Sequence, residues 1–280
     1  MINEGKGISN IVKEKIDDIW LLFLSNSYSE HTYTIGNENI SIKFNHLNNY
    51  YCSISVDKLG RFTINIGIPT NGKENRVKEN IAHELTHLME LVGLGTKPYP
   101  KYDKIKKSLI EFKPKSKVMD FISDVFYKTL DNEINANVAQ TYIYIKCGGR
   151  CSKEEGLKRL KEFVNYKFYD DIKRIKLDII LPKLNQSEVT EFNNLLIKHG
   201  VKTISSSNME LWINHWFKIF KRKADVYLKN SERILDEVDK DFEKYLEYVN
   251  IPHTSDRIID YNAYVREMRE ENINKILKRK

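Results

Sequence analysis

Val77, Ile81, Leu85, Leu88, Met89 and Val92 recur at the 3.6-residue period of an α-helix, and inside that run stands His83-Glu84-Leu85-Thr86-His87. Asn71-Gly72 precede the run and Gly93 and Gly95 follow it, so the spacing predicts a helix over about 73 to 92. At about 100° per residue both histidines fall opposite the apolar stripe, with Arg76 and Asn80 extending their face towards the N-terminus. The imidazoles therefore look into a cleft or solvent, not into the core.

Residues i and i+4 share one side of a helix, so both rings can reach a single Zn²⁺ at about 2.0–2.1 Å. Glu84 lies beside them, near the place of a water activated by the metal. In that arrangement Glu84 takes the water's proton as it attacks a polarised carbonyl, then passes the proton to the departing amine. The competing reading is that His83 and His87 are ordinary surface residues.

A catalytic zinc usually takes three protein ligands and leaves one position for water. Glu90 is the nearest carboxylate on the same face, but three ligands from one straight helix enclose a metal poorly. The metzincin pattern is excluded, because its downstream glycine and histidine positions hold Glu90 and Gly93. The Gly-Thr-x-x-Asp element is absent too, since Gly95-Thr96 is followed by Lys97, Pro98 and Tyr99. Farther on, Ile134, Val138, Thr141 and Ile145 make one helical stripe, and Glu133, Asn137, Gln140 and Tyr144 make a polar one. Glu133 can thus offer a carboxylate from a second helix.

In these two motifs the chain, over about residues 55 to 147, resembles the gluzincins, in their thermolysin-like or minigluzincin-like form. These zinc metallopeptidases carry His-Glu-x-x-His on one helix and a glutamate ligand on the next long one. The resemblance implies a zincin-like core with His83, His87 and Glu133 as metal ligands and Glu84 as general base. It also implies a residue bonded to a ligating histidine at position 137, where thermolysin-like members have aspartate and this chain has Asn137. An amide oxygen still accepts an imidazole N–H, without the charge that raises ligand basicity. For the residue that stabilises the oxyanion, Tyr144 and His215 are the candidates, each weighed against a packing role.

Upstream, residues 60–68 alternate apolar and polar side chains and stop at Pro69, as a strand does, with Phe62, Ile64, Ile66 and Ile68 towards the core. The resemblance implies that this strand borders the cleft and pairs with an extended peptide or protein substrate, unless both its edges are already paired. Segments 31–35, 38–46 and 50–57 are also strand-like, giving a small sheet of three or four strands. Residues 8–25 read as a helix, too short in its apolar run to span a membrane and without the basic-then-apolar order of a signal peptide. With three cysteines, Cys52, Cys147 and Cys151, the expectation is a reducing, cytoplasmic setting with inert thiols.

From 151 onward the segments 152–178, 187–199, 208–248 and 261–279 have helical spacing, with one short strand considered at 177–181. The expected architecture is therefore α+β: a zincin-like metallopeptidase domain over 1–150 with a small mixed sheet and active-site helices, then a mainly helical region over 151–280. The net charge is +7, yet acidic residues are interspersed almost throughout, which argues against a nucleic-acid face. Three functions compete: an active zinc peptidase, a silent or specialised zincin-like protein with a regulatory or assembly role, as in a phage or mobile element, and a helical binding protein with a fortuitous motif.

Overall fold

A computed structural model describes residues 12, 15–20, 30–35, 38–46, 50–56, 61–68, 73–92, 100–147, 149 and 151–250. The alternating segments form a mixed sheet of four strands, β1 (Glu30–Ile35), β2 (Glu38–His46), β3 (Tyr51–Val56) and β4 (Phe62–Ile68), in the order β1-β2-β4-β3. β2 runs parallel to β4, whereas β1 is antiparallel to β2 and β3 to β4. The register sets Ile42 beside Ile64 and Phe44 beside Ile66, so all four side chains share one buried face.

One expectation about β4 needs correction. Its backbone is hydrogen-bonded to β2 on one side and β3 on the other, so it has no edge left for a substrate strand. Alternation reveals which face of a strand is buried, but not which strands lie beside it. Among the described residues the edges of the sheet are β1 and β3.

The apolar stripe of α1 (Glu74–Val92) buries Val77, Ile81, Leu85 and Leu88. Residues 15–20 are helical and bury Ile16, Ile19 and Trp20, and Asp17 accepts from Lys78 of α1 at 2.9 Å. Apart from these and Val12, the helix expected over 8–25 lies outside the described residues. Two helices that no motif singled out follow, α2 (Pro100–Glu111) and α3 (Lys117–Lys128). The hydroxyl of Ser116 caps α3 by accepting from the Met119 N–H. Next comes α4 (Asp131–Cys147), which packs against α1 more extensively than any other pair of helices.

The rest is helical: α5 (Lys153–Glu162), α6 (Val164–Arg174), α7 (Leu177–Ile180) with a 3₁₀ turn at Leu181–Lys183, α8 (Gln186–Lys198) and α9 (Met209–Asn250). The strand considered at 177–181 is therefore a helical turn, because a short apolar run ending at Pro182 does not distinguish the two periods. Phe163 splits the helix expected over 152–178. The segment 261–279 lies outside the described residues. α9 lies along α4, α5 and α6, and its Tyr227 shares a 2.6 Å hydrogen bond with Thr141 of α4. Phe126 of α3 meets Phe192, Trp216 and Phe220 at ring distances of 4.6–4.9 Å, joining α3, α8 and α9 in one apolar core. No described helix is long and apolar enough to cross a membrane.

Candidate metal centre

His83, His87 and Glu133 converge where α1 crosses the first turn of α4, as a cluster able to hold a metal ion. His83 Nε2 stands 3.2 Å from His87 Nε2 and 3.4 Å from Glu133 Oε2, and His87 Nε2 stands 3.5 Å from Glu133 Oε1. Helix geometry explains the pairing of the histidines, since one turn separates them on the face opposite the buried stripe. Their rings are half-buried. Glu133 is only 2% exposed, so its polar stripe faces α1 and not solvent.

Burial opposes the charge on Glu133, but the hydrogen bonds to His83 and His87 outweigh it and hold the carboxyl well below the usual range. Burial likewise opposes charge on His87, yet the Glu133 and Glu90 carboxylates beside it raise its pKa to about 9. The cluster therefore stabilises positive charge at its centre. Glu84, next to His83 in the chain, is not among the three donors; burial raises its pKa against the pull of His83, His87 and Lys106.

Glu90 lies on the histidine face as its spacing predicts, and two further neighbours were not legible in the motif. Glu90 Oε2 lies 4.0 Å from His87 Nδ1, and Glu90 Oε1 accepts from Asn135 of α4 at 2.7 Å. Tyr127 of α3 lies near the cluster, and burial together with the Glu133 and Glu84 charges pushes its pKa up. Lys106 of α2, exposed, lies 5.8 Å from the centroid of the Tyr127 ring. The only sequence signal for these two was the aromatic-and-basic content of 100–128, which no spacing rule ties to a site on α1.

Asn137 is buried behind the cluster, but its amide serves another network. It donates to the Tyr169 hydroxyl at 2.9 Å and accepts from Asn165 at 3.2 Å, and Tyr169 in turn donates to the Lys128 carbonyl at 2.5 Å. The bond expected from Asn137 to a histidine is thus replaced by bonds to α6. Tyr144 shares the Glu133 face but sits three turns away, about 16 Å along the helix. There it stacks on Phe163 at 4.3 Å, and burial and the charges of Glu162 and Glu79 raise its pKa. His215 lies in the second turn of α9, with its ring 5.3 Å from Trp216, and touches none of the three donors. Neither residue joins the centre.

β3 packs against α1; its Cys52 is half-buried, and burial followed by the nearby Glu84 charge pushes its thiol up. Cys151 is a free, buried thiol; the Cys147 side chain lies outside the described residues. No protein family, curated protein or solved structure matches the chain.

Proposed function

We propose that this chain is a zinc-dependent peptide hydrolase with a zincin-like core of gluzincin type. One observation carries the reading. A tetrahedral zinc bound at about 2.0–2.1 Å separates its ligand atoms by about 3.3–3.4 Å; the two Nε2 atoms here stand 3.2 Å apart, each lies 3.4–3.5 Å from a different oxygen of Glu133, and one ligand atom from each residue lies within 4.8 Å of the others. The two nitrogens and one carboxylate oxygen suit zinc chemically, and one vertex of such a tetrahedron is left for water or substrate. The site also favours positive charge at its centre, as a cation requires.

Zinc, when bound, acidifies a water and polarises the scissile carbonyl. Glu84, beside the donors and not among them, accepts the proton of the attacking water and delivers it to the leaving amine nitrogen. Lys106, whose charge acts on Glu84, supplies the cation for the developing oxyanion in place of Tyr144 or His215. Substrate lies extended along β3, the edge strand nearest Glu84, and pairs through its backbone.

The test is a peptide library incubated with zinc-loaded wild type and with Glu84→Gln, read by mass spectrometry. Cleavage by wild type alone supports the proposal. Cleavage by neither protein favours the specialised zincin-like role in regulation or assembly, a reading that the distance of Tyr144 and His215 from the centre also serves.

A further inference from the structure

Behind α4 lies a cavity of about 550 Å³. Its wall is apolar, built from Ile105 of α2, Phe126 of α3, Leu130 of the following turn, and Trp216, Ile219 and Phe220 of α9. Asp131 and Glu133 are two residues apart, about 200° around the helix. Glu133 therefore faces α1, while Asp131 faces α9 and pairs with Lys223. The cavity belongs to the second face and is separate from the metal cluster. Its volume falls within the roughly 300–1,000 Å³ of small-molecule sites.

The rim is cationic. Lys104, Lys202 and Lys223 line the cavity, with Asp131 as the one carboxylate among its lining residues. Asp131 neutralises Lys223, whereas Lys104 and Lys202 form no ion pair among the described residues. Gly200 closes α8 at φ 71°, its N–H bonded to the Ile197 carbonyl at 2.8 Å. A Cβ at Gly200 would stand 3.2 Å from Lys104 Nζ, so the glycine leaves that ammonium room against the cavity wall. An apolar hollow with two uncompensated ammonium groups at its mouth complements a molecule with the opposite distribution.

We propose that this cavity binds an amphipathic carboxylate, with its apolar chain or ring against Phe126 and Trp216 and its carboxylate between Lys104 and Lys202. A neutral amphiphile fills the hollow but leaves both cations without a counter-charge. A cationic one is repelled by them.

Titration calorimetry of the full chain with decanoate, decan-1-ol and decylammonium, all below their aggregation limits, tests this. Decanoate should bind saturably, at least about tenfold tighter than the alcohol, with decylammonium weakest. Reversing two exposed charges together, Lys104→Glu with Lys202→Glu, should weaken decanoate by about tenfold or more and raise the affinity for decylammonium. Ile219→Trp, which fills the hollow and keeps both lysines, should abolish binding of all three. Absence of saturable decanoate binding, equal affinity for the three probes, or decanoate affinity unchanged in either variant overturns the assignment.

Discussion

Glu90 Oε2 stands 4.0 Å from Nδ1 of His87, on the ring nitrogen opposite the one that faces Glu133. At 4.0 Å the carboxylate is beyond direct hydrogen-bond reach, but its charge favours a proton on Nδ1 and so leaves Nε2 as the free donor. Asn135 donates to the other oxygen of Glu90 at 2.7 Å, so α4 braces the carboxylate beside a ligand on α1. Glu90→Ala should accordingly weaken zinc affinity by about 10–100-fold with the secondary structure unchanged, as measured by competition with a chelator and by circular dichroism. Affinity equal to wild type would remove Glu90 from the site.

Zinc supplied to the purified protein should bind in one equivalent per chain by elemental analysis. His83→Ala and His87→Ala should abolish that occupancy, and Glu133→Ala should reduce it. A wild-type protein that takes up no zinc contradicts the proposed centre outright.

Glu84→Gln should lower peptide cleavage by about 10²–10⁴-fold while zinc content and thermal stability stay near wild type. Lys106→Met should lower kcat by about 10²-fold with zinc content again unchanged. If Lys106→Met cleaves like wild type, the oxyanion has another donor.

Tyr169→Phe keeps the ring and deletes the hydroxyl that joins Asn137 to the Lys128 carbonyl. Both partners are then left buried without it, so unfolding by urea should show a loss of about 1–3 kcal/mol. A loss well under this range would mean that water enters to replace the hydroxyl.

Glu188 Oε1 accepts from the backbone N–H groups of Lys115, at 2.7 Å, and Ser116, at 3.1 Å, tying α8 to the start of α3. Burial pushes its pKa up, but the bonds from Ser116 and Lys115 outweigh burial and leave it below the ordinary 4.5. A carboxyl with a lowered folded pKa contributes fully above its unfolded value, and the contribution is lost as pH falls through the folded one. The stability gap between wild type and Glu188→Gln should therefore be widest near neutral pH and narrow below pH 4.5. A gap that does not change with pH would show that shape, not charge, carries the effect.

The sequence by itself determined the features set by local geometry. The period of Val77 to Val92 specifies a helix, and one turn of that helix brings His83 and His87 together whatever surrounds them. Alternation likewise located the four strands and the buried face of β4. The stripe on 131–145 put Glu133 on the polar side of a helix, but its burial against both histidines follows from how α1 crosses α4. Packing across elements, which no spacing rule encodes, also decided that β4 is enclosed by β2 and β3, that Asn137 bonds Tyr169, and that Asn135 of α4 braces Glu90. Tyr144 shares a face with Glu133 but is separated from it by the rise along the axis, since a helix repeats direction every turn without repeating place. Tyr127 and Lys106, whose electrostatic coupling is to Glu133 and Glu84, come from helices with no motif, because proximity between distant segments depends on tertiary packing and leaves no period in the chain.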